Sequence, residues 1–203
     1  MADLSGQFSQ RIGYLSTFKT ALRLTARREQ SPARVLSEIN REIAAATEES
    51  GEVETFISMA YCVVDLDRAS LAYANAGNEP PAIIPGAGGE VISLKQGGIV
   101  LGVVPEQEYE EETLPLHGGD TIALFTDGMI EVMHRRHGFL GRERLIEKVV
   151  EQAPDAIAQE VARRVFEYAM EWGREGERRD DMTLVIARVR ASDLGLPEEP
   201  AID

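Results

Sequence analysis

Three acidic clusters are the residues of this chain whose types and placement could do chemistry: Asp3 in ADLSG, Asp127 in TDG, and the adjacent Asp180 and Asp181 in DDMT. Carboxylates suit hard divalent cations such as Mg²⁺ and Mn²⁺, which want oxygen ligands. Two such ions, about 3.5–4 Å apart, can bind a phosphoryl group and lower the pKa of a water between them. The resulting hydroxide attacks phosphorus without a covalent protein intermediate, which fits a chain short of candidate nucleophiles. Taken singly, each cluster is weak. Asp-Gly after a strand is a common turn, and Asp-Asp before a strand is a common solvated edge. The chemistry needs elements that bring the clusters together.

Those elements can be read from periodicity. Apolar residues recur every three or four positions from Gln7 to Arg28 (Phe8, Ile12, Leu15, Phe18, Leu22), the pattern of an amphipathic helix. Ser31 is the expected N-cap of a second helix with Pro32 in its first turn. That helix should run to about Thr47 and bury Val35, Leu36, Ile39 and Ile43, with Glu48 to Glu54 as a loop. Thr55–Val64 and Ser70–Asn75 are rich in β-branched and aromatic residues and read as a hairpin. Ala82–Ile84 and Val91–Leu94 flank a glycine-rich turn and read as another. Glu108 to Leu114 alternates weakly, whereas Thr121–Thr126 (TIALFT) is apolar throughout and should be buried on both faces. A short helix is expected over Phe139–Gln152. A longer one, capped by Asp155 and burying Ile157, Val161, Val165, Phe166 and Ala169, is expected to about Trp172. Met182–Val189 reads as a last strand. Short, turn-linked strands between two helix pairs point to an α+β layered domain over residues 1–190. Residues 191–203, acidic and carrying Pro197 and Pro200, read as a disordered tail.

Charge narrows the function classes. The 203-residue chain has a formal net charge of −14, so nucleic acid and anionic membrane surfaces are not expected partners. An acidic protein can still take a phosphate where metal cations supply positive charge. The single cysteine, Cys62, allows no internal disulfide and reads as a small buried hydrophobe. No apolar leader and no spanning run is visible, so a reducing cytoplasm is the expected location.

The order of the motifs is more specific than any one of them. ADLSG, SPARVLSEIN, TFISMAYCVVD, LAYANAGNEPP, LPLHGGDTIALFTDGMIE, GFLGRERL and DDMTLVIARV together resemble the bacterial SpoIIE/RsbU-type serine phosphatases of the metal-dependent PP2C (PPM) class. The resemblance covers the chain to about Val189. It implies an αββα sandwich of two antiparallel sheets flanked by helices. It also implies dependence on two Mn²⁺ or Mg²⁺ ions and hydrolysis of phosphoserine or phosphothreonine on a STAS-type anti-sigma-factor antagonist. By motif, Asp3 corresponds to the aspartate that touches both metals, and the Leu4 carbonyl to the neighbouring backbone ligand. Asp127 corresponds to the TDG ligand and Asp180 to the first acid of the terminal motif. Asp181 stands behind Asp180, and the motif leaves both as candidates.

The sequence departs from the family pattern in three places. Several strands normally precede the ADLSG motif, so an N-terminally truncated sandwich is expected, completed by an upstream reading frame or by another chain, as in a homodimer. Gln7-Phe8 stands where the family usually has His-Gly, and Asn78-Glu79 where His-Asn or His-Pro is common. These changes leave the acids in place and admit an alternative: a catalytically impaired, phosphatase-like interaction module in a partner-switching pathway. A two-metal nuclease fits poorly with the charge. His134 and His137 lack the i,i+4 spacing and third ligand of a helical metal site. Arg135, Arg136 and Arg142 could meet an anionic phosphoprotein but read first as a solvated loop. Trp172 reads as a helix-end core or rim residue.

Overall fold

Pro32 opens a helix because its fixed φ suits the first turn and its missing N–H costs nothing there. In the computed structural model that helix does begin at Pro32, and the hydroxyl of Ser31 accepts from the N–H of Arg34 at 3.3 Å, the N-cap bond expected. The structure describes residues 1–4, 8–50, 56–94, 97–154, 156–175 and 180–195, the side chains of 8–14, 49, 50 and 175 excepted. In chain order the elements are β1 (Ala2–Leu4), α1 (Phe8–Thr25), α2 (Pro32–Ser50), β2 (Ile57–Asp65), β3 (Ser70–Ala76), β4 (Ala82–Ile84) and β5 (Ile92–Ser93). They continue with β6 (Glu112–Pro115), β7 (Thr121–Phe125), β8 (Met133–His134), β9 (Gly138–Phe139), α3 (Arg142–Gln152), α4 (Ala158–Trp172) and β10 (Leu184–Arg188). Among the described residues no helix is long and apolar enough to cross a membrane.

The chain divides into two compact units. The first comprises Met1–Asp65, Ser70–Pro80 and Lys95–Leu114. Its sheet has the order β1-β2-β3-β6, with β2 antiparallel to both β1 and β3. The period-2 rule sorts its side chains. Leu4, Ile57, Met59, Ala74 and Ala76 face α1 and α2 and pack with Phe18, Val35, Leu36, Ile39 and Ile43. All four expected stripe residues of α2 are fully buried. Asn40 of α2 ties the loop after Leu101 to this helix, donating to the carbonyls of Val104 and Pro105 and accepting from Gly102 N–H.

The second unit comprises Leu66–Ala69, Pro81–Leu94 and Pro115–Asp203. Its sheet has the order β10-β7-β4-β5. β7 lies between two antiparallel neighbours, and four of its five residues are buried, in keeping with its apolar sequence. One core joins Ala82, Ala123 and Phe125 to Leu145, Val149, Val161, Val165 and Ala169 of α3 and α4. The Arg188 guanidinium of β10 donates to the carbonyls of Ala153 and Ala156, fastening the α3–α4 connection to the sheet edge. Asp120, 4 % exposed, organises the turn into β7 by accepting from the N–H groups of Gly86 and His117.

Several expectations need correction. α2 continues to Ser50, so Glu48–Ser50 are helix where a loop was expected, and residues 51–55 lie outside the described residues. Phe139 does not open a helix: it pairs with Met133 in the β8–β9 hairpin and is 54 % exposed. Ile157 precedes α4 in extended conformation and is 70 % exposed rather than buried. The cap expected at Asp155 lies outside the described residues. Cys62 is half-buried, opposite Tyr73, not fully enclosed. Beyond β10, Ala191–Leu194 form a 3₁₀ turn held by the Arg190–Asp193 ion pair, and residues 196–203 lie outside the described residues.

Candidate metal centre

Asp127 leaves the buried end of β7 at the start of a 3₁₀ turn, Asp127–Met129. Asp180 and Asp181 lie just before β10, the strand beside β7, with Leu184 opposite Phe125. The antiparallel register therefore carries the TDG turn to the DDM segment. Two features lock them together. The Thr126 hydroxyl donates to the carbonyl of Asp181 at 3.0 Å and accepts from the N–H of Thr183 at 3.1 Å. A backbone pair, Thr126 N–H to Thr183 carbonyl, adds to it at 3.1 Å. Gly128 then passes so close that a Cβ there would sit 2.3 Å from the Asp181 carbonyl oxygen. Only glycine permits that approach.

The carboxylates beside this junction are partly organised by their own backbone. Asp127 Oδ1 accepts from Gly128 N–H and Asp180 Oδ1 from Asp181 N–H, both at 2.8 Å. Asp127 is half-buried, whereas Asp180 and Asp181 are exposed. The second unit thus brings the backbone of three of the four expected acids to one junction. Among the described residues no three His, Cys, Asp or Glu side chains are gathered tightly enough to hold a metal ion on their own. That donor set still fits a hard cation. Mg²⁺-type ions keep several waters and use one or two carboxylates rather than an all-protein cage.

Asp3 belongs to the first unit, on β1, where it is the Cα partner of Ser58 on β2. Leu4, its neighbour, turns its side chain into the α1–α2 core. Alternation therefore puts Asp3 and Ser58 on the other face of this sheet. On that face the AGNEPP turn is built by two asparagines. Asn78 N–H donates to Asn75 Oδ1, and Asn75 Nδ2 donates back to the Asn78 carbonyl, both at 2.9 Å. Gly77 makes the turn possible, with φ of +68° and a Val100 methyl 2.7 Å from where a Cβ would stand.

Other residues weighed in the sequence find structural places. His134 Nδ1 accepts from the N–H groups of Arg136 and His137, at 3.0 and 3.2 Å. The rings of His134, His137 and Trp172 lie 4.5–6.0 Å apart, and Trp172 Nε1 donates to the Gly138 carbonyl. The histidine pair therefore braces the β8–β9 hairpin against α4. Arg142 lies over the Phe125 ring at 5.0 Å. Arg135 and Arg136 are exposed. A cleft of about 700 Å³ lies between α1 and α2, lined by Thr20, Leu24, Arg28, Glu38 and Arg41 among others, and none of the candidate acids lines it. Sequence reasoning missed Thr126, Ser58 and Asn75. Thr126 is foreshadowed by standing next to Asp127 at the end of an apolar strand, and Asn75 by its i,i+3 spacing from Asn78. Ser58 has no signal of its own.

Residues 1–190 match the family model described as Stage II sporulation protein E (SpoIIE). The phosphoserine phosphatase RsbU of Bacillus subtilis (strain 168) is 28 % identical over 188 residues, which are 93 % of this chain and 54 % of that protein. The chain thus spans about half the length of that relative. The SiaA PP2C domain of Pseudomonas aeruginosa superposes with a TM-score of 0.79 at 24 % identity, covering 92 % of this chain and 73 % of that one. The catalytic domain of the serine/threonine phosphatase PstP, solved with two manganese ions, superposes with a TM-score of 0.67 at 16 % identity, covering 93 % and 86 %. These likenesses show the fold: α+β, PP2C-like, with antiparallel sheets and, among the described residues, four α-helices, as the sequence led one to expect.

Proposed function

This chain belongs to the SpoIIE family of PP2C-type phosphatases, and from that premise we propose that it is a metal-dependent protein serine/threonine phosphatase. The observation that carries the reading is the junction of the TDG turn with the DDM segment. Gly128 and Thr126 fix Asp127 beside Asp180 and Asp181 with backbone and hydroxyl bonds that leave carboxylate oxygens for a cation. Asp127 and Asp180 are the ligands proposed in the second unit, with Asp181 beside them. By the family motif, Asp3 and the Leu4 carbonyl are the metal ligands proposed in the first unit. Two Mn²⁺ or Mg²⁺ ions, when bound, supply a hydroxide and neutralise the phosphoryl group. The protein's part is to hold its carboxylates rigid, so that little reorganisation accompanies charge development.

The proposed substrate is a phosphoserine or phosphothreonine on a small STAS-type regulatory protein. RsbU and RsbP of Bacillus subtilis, both named phosphoserine phosphatases, are relatives of this chain and support that class. The purified chain should release inorganic phosphate from such a phosphoprotein with Mn²⁺ and stop with EDTA. Asp127→Asn should abolish the release. Full turnover by the Asn variant, or turnover insensitive to EDTA, defeats the proposal. Tight binding of the phosphoprotein without metal-dependent release also defeats it, in favour of a non-catalytic interaction module.

A further inference from the structure

Asn78 is 3 % exposed, yet its side-chain Oδ1 has no hydrogen-bond partner among the described residues. A buried amide oxygen left unpaired loses its water without gaining a partner, so such an atom needs a reason. The rest of the residue is fully committed. Its N–H and carbonyl are locked to Asn75, and its Nδ2 donates to the Ser58 hydroxyl at 3.3 Å. Its place in the fold supplies the reason. Ser58 is directly opposite Asp3 across the β1–β2 ladder. Directly opposed residues of an antiparallel pair put their side chains on one face, with Cβ atoms about 4.5–5.5 Å apart. The amide of Asn78 therefore reaches, through one hydroxyl, the position next to the Asp3 carboxylate.

We propose that Asn78, anchored by Asn75 and Ser58, is a positioning residue for the cation held by Asp3, its Oδ1 accepting a hydrogen bond from a water of that cation's shell. The inference rests on the metal reading above and extends it to a residue outside the acidic clusters. Hard cations of this type retain several waters, and those waters donate hydrogen bonds outward. Groups that orient such a shell typically change metal affinity 10–100-fold when removed.

The test uses the full chain and Mn²⁺ alone, with affinity from titration calorimetry and melting of the metal-free protein as a second readout. Asn78→Leu keeps the branched shape and removes the orphaned oxygen. Its metal-free melting temperature should hold or rise, because no buried acceptor is left unpaired. Its Mn²⁺ affinity should fall about 10-fold. Ser58→Ala, a smaller change that any fold tolerates better, should lower affinity in the same direction. Asn78→His, which restores the residue common in the family, should recover most of it. A purely structural Asn78 predicts the opposite pattern: a lower melting temperature with unchanged affinity, and that result overturns the proposal. Asp127→Asn separates the two levels. If wild type binds no Mn²⁺, or Asp127→Asn binds as wild type does, the metal reading itself fails. If Asp127→Asn loses binding while Asn78→Leu and Ser58→Ala keep it, only this inference fails.

Discussion

The two strands that carry the candidate acids are supported very differently. β7 lies between two neighbours, has four of its five residues buried, and ends in a turn held by Thr126 and Gly128. β1 is three residues long and outermost in its sheet as described, with none of its residues buried. The same residue type, aspartate, thus sits once on a rigid support and once on a short edge. Substitutions near Asp127 should therefore act through geometry, and substitutions near Asp3 through local order.

The sharpest break of that comparison is Gly128→Ala. Its methyl cannot fit 2.3 Å from a carbonyl oxygen, so the TDG turn and the DDM segment must separate. The expected cost is about 3 kcal/mol in urea denaturation, with loss of metal-dependent turnover. Wild-type stability in this variant would mean the junction is slack. Thr126→Val comes next. It keeps the shape but orphans the Asp181 carbonyl and the Thr183 N–H, and should lower stability by about 2 kcal/mol. On the other side, Leu4→Ala removes a partly buried side chain from β1 and should cost only about 1 kcal/mol. The amides of β1 should exchange with deuterium faster than those of β7 by two orders of magnitude or so, because edges open locally. Equal protection would erase the contrast. The smallest effect concerns Cys62 on β2. Burial pushes its thiol up to about 11, so the neutral form persists at pH 8 and becomes thiolate only as pH approaches that value. Iodoacetamide at pH 8 should consume it much more slowly in the folded chain than in urea. Equal rates would place β2 among the loosely held strands.

Much of this was legible in the residues. The α2 stripe, the β2–β3 hairpin, the TIALFT strand and the final strand follow from periods of 3.6 and 2, which depend only on neighbours in sequence. The errors fell where local pattern and long-range pairing disagree. Phe139 looks like the start of an apolar helix face, but pairing with Met133 holds it in a hairpin. Ile157 has helical spacing, yet stands before the first turn of α4 and faces outward.

The sequence by itself determined the acids, their order, the family they announce and the elements that carry them, because composition, period and motif are local properties. Only the tertiary structure decided which backbone atoms meet. No spacing rule says that Gly128 lies against the Asp181 carbonyl, that Ser58 stands opposite Asp3, or that Asn78 is buried with an oxygen unpaired. Those facts arise from strand register and close packing, which join residues tens of positions apart.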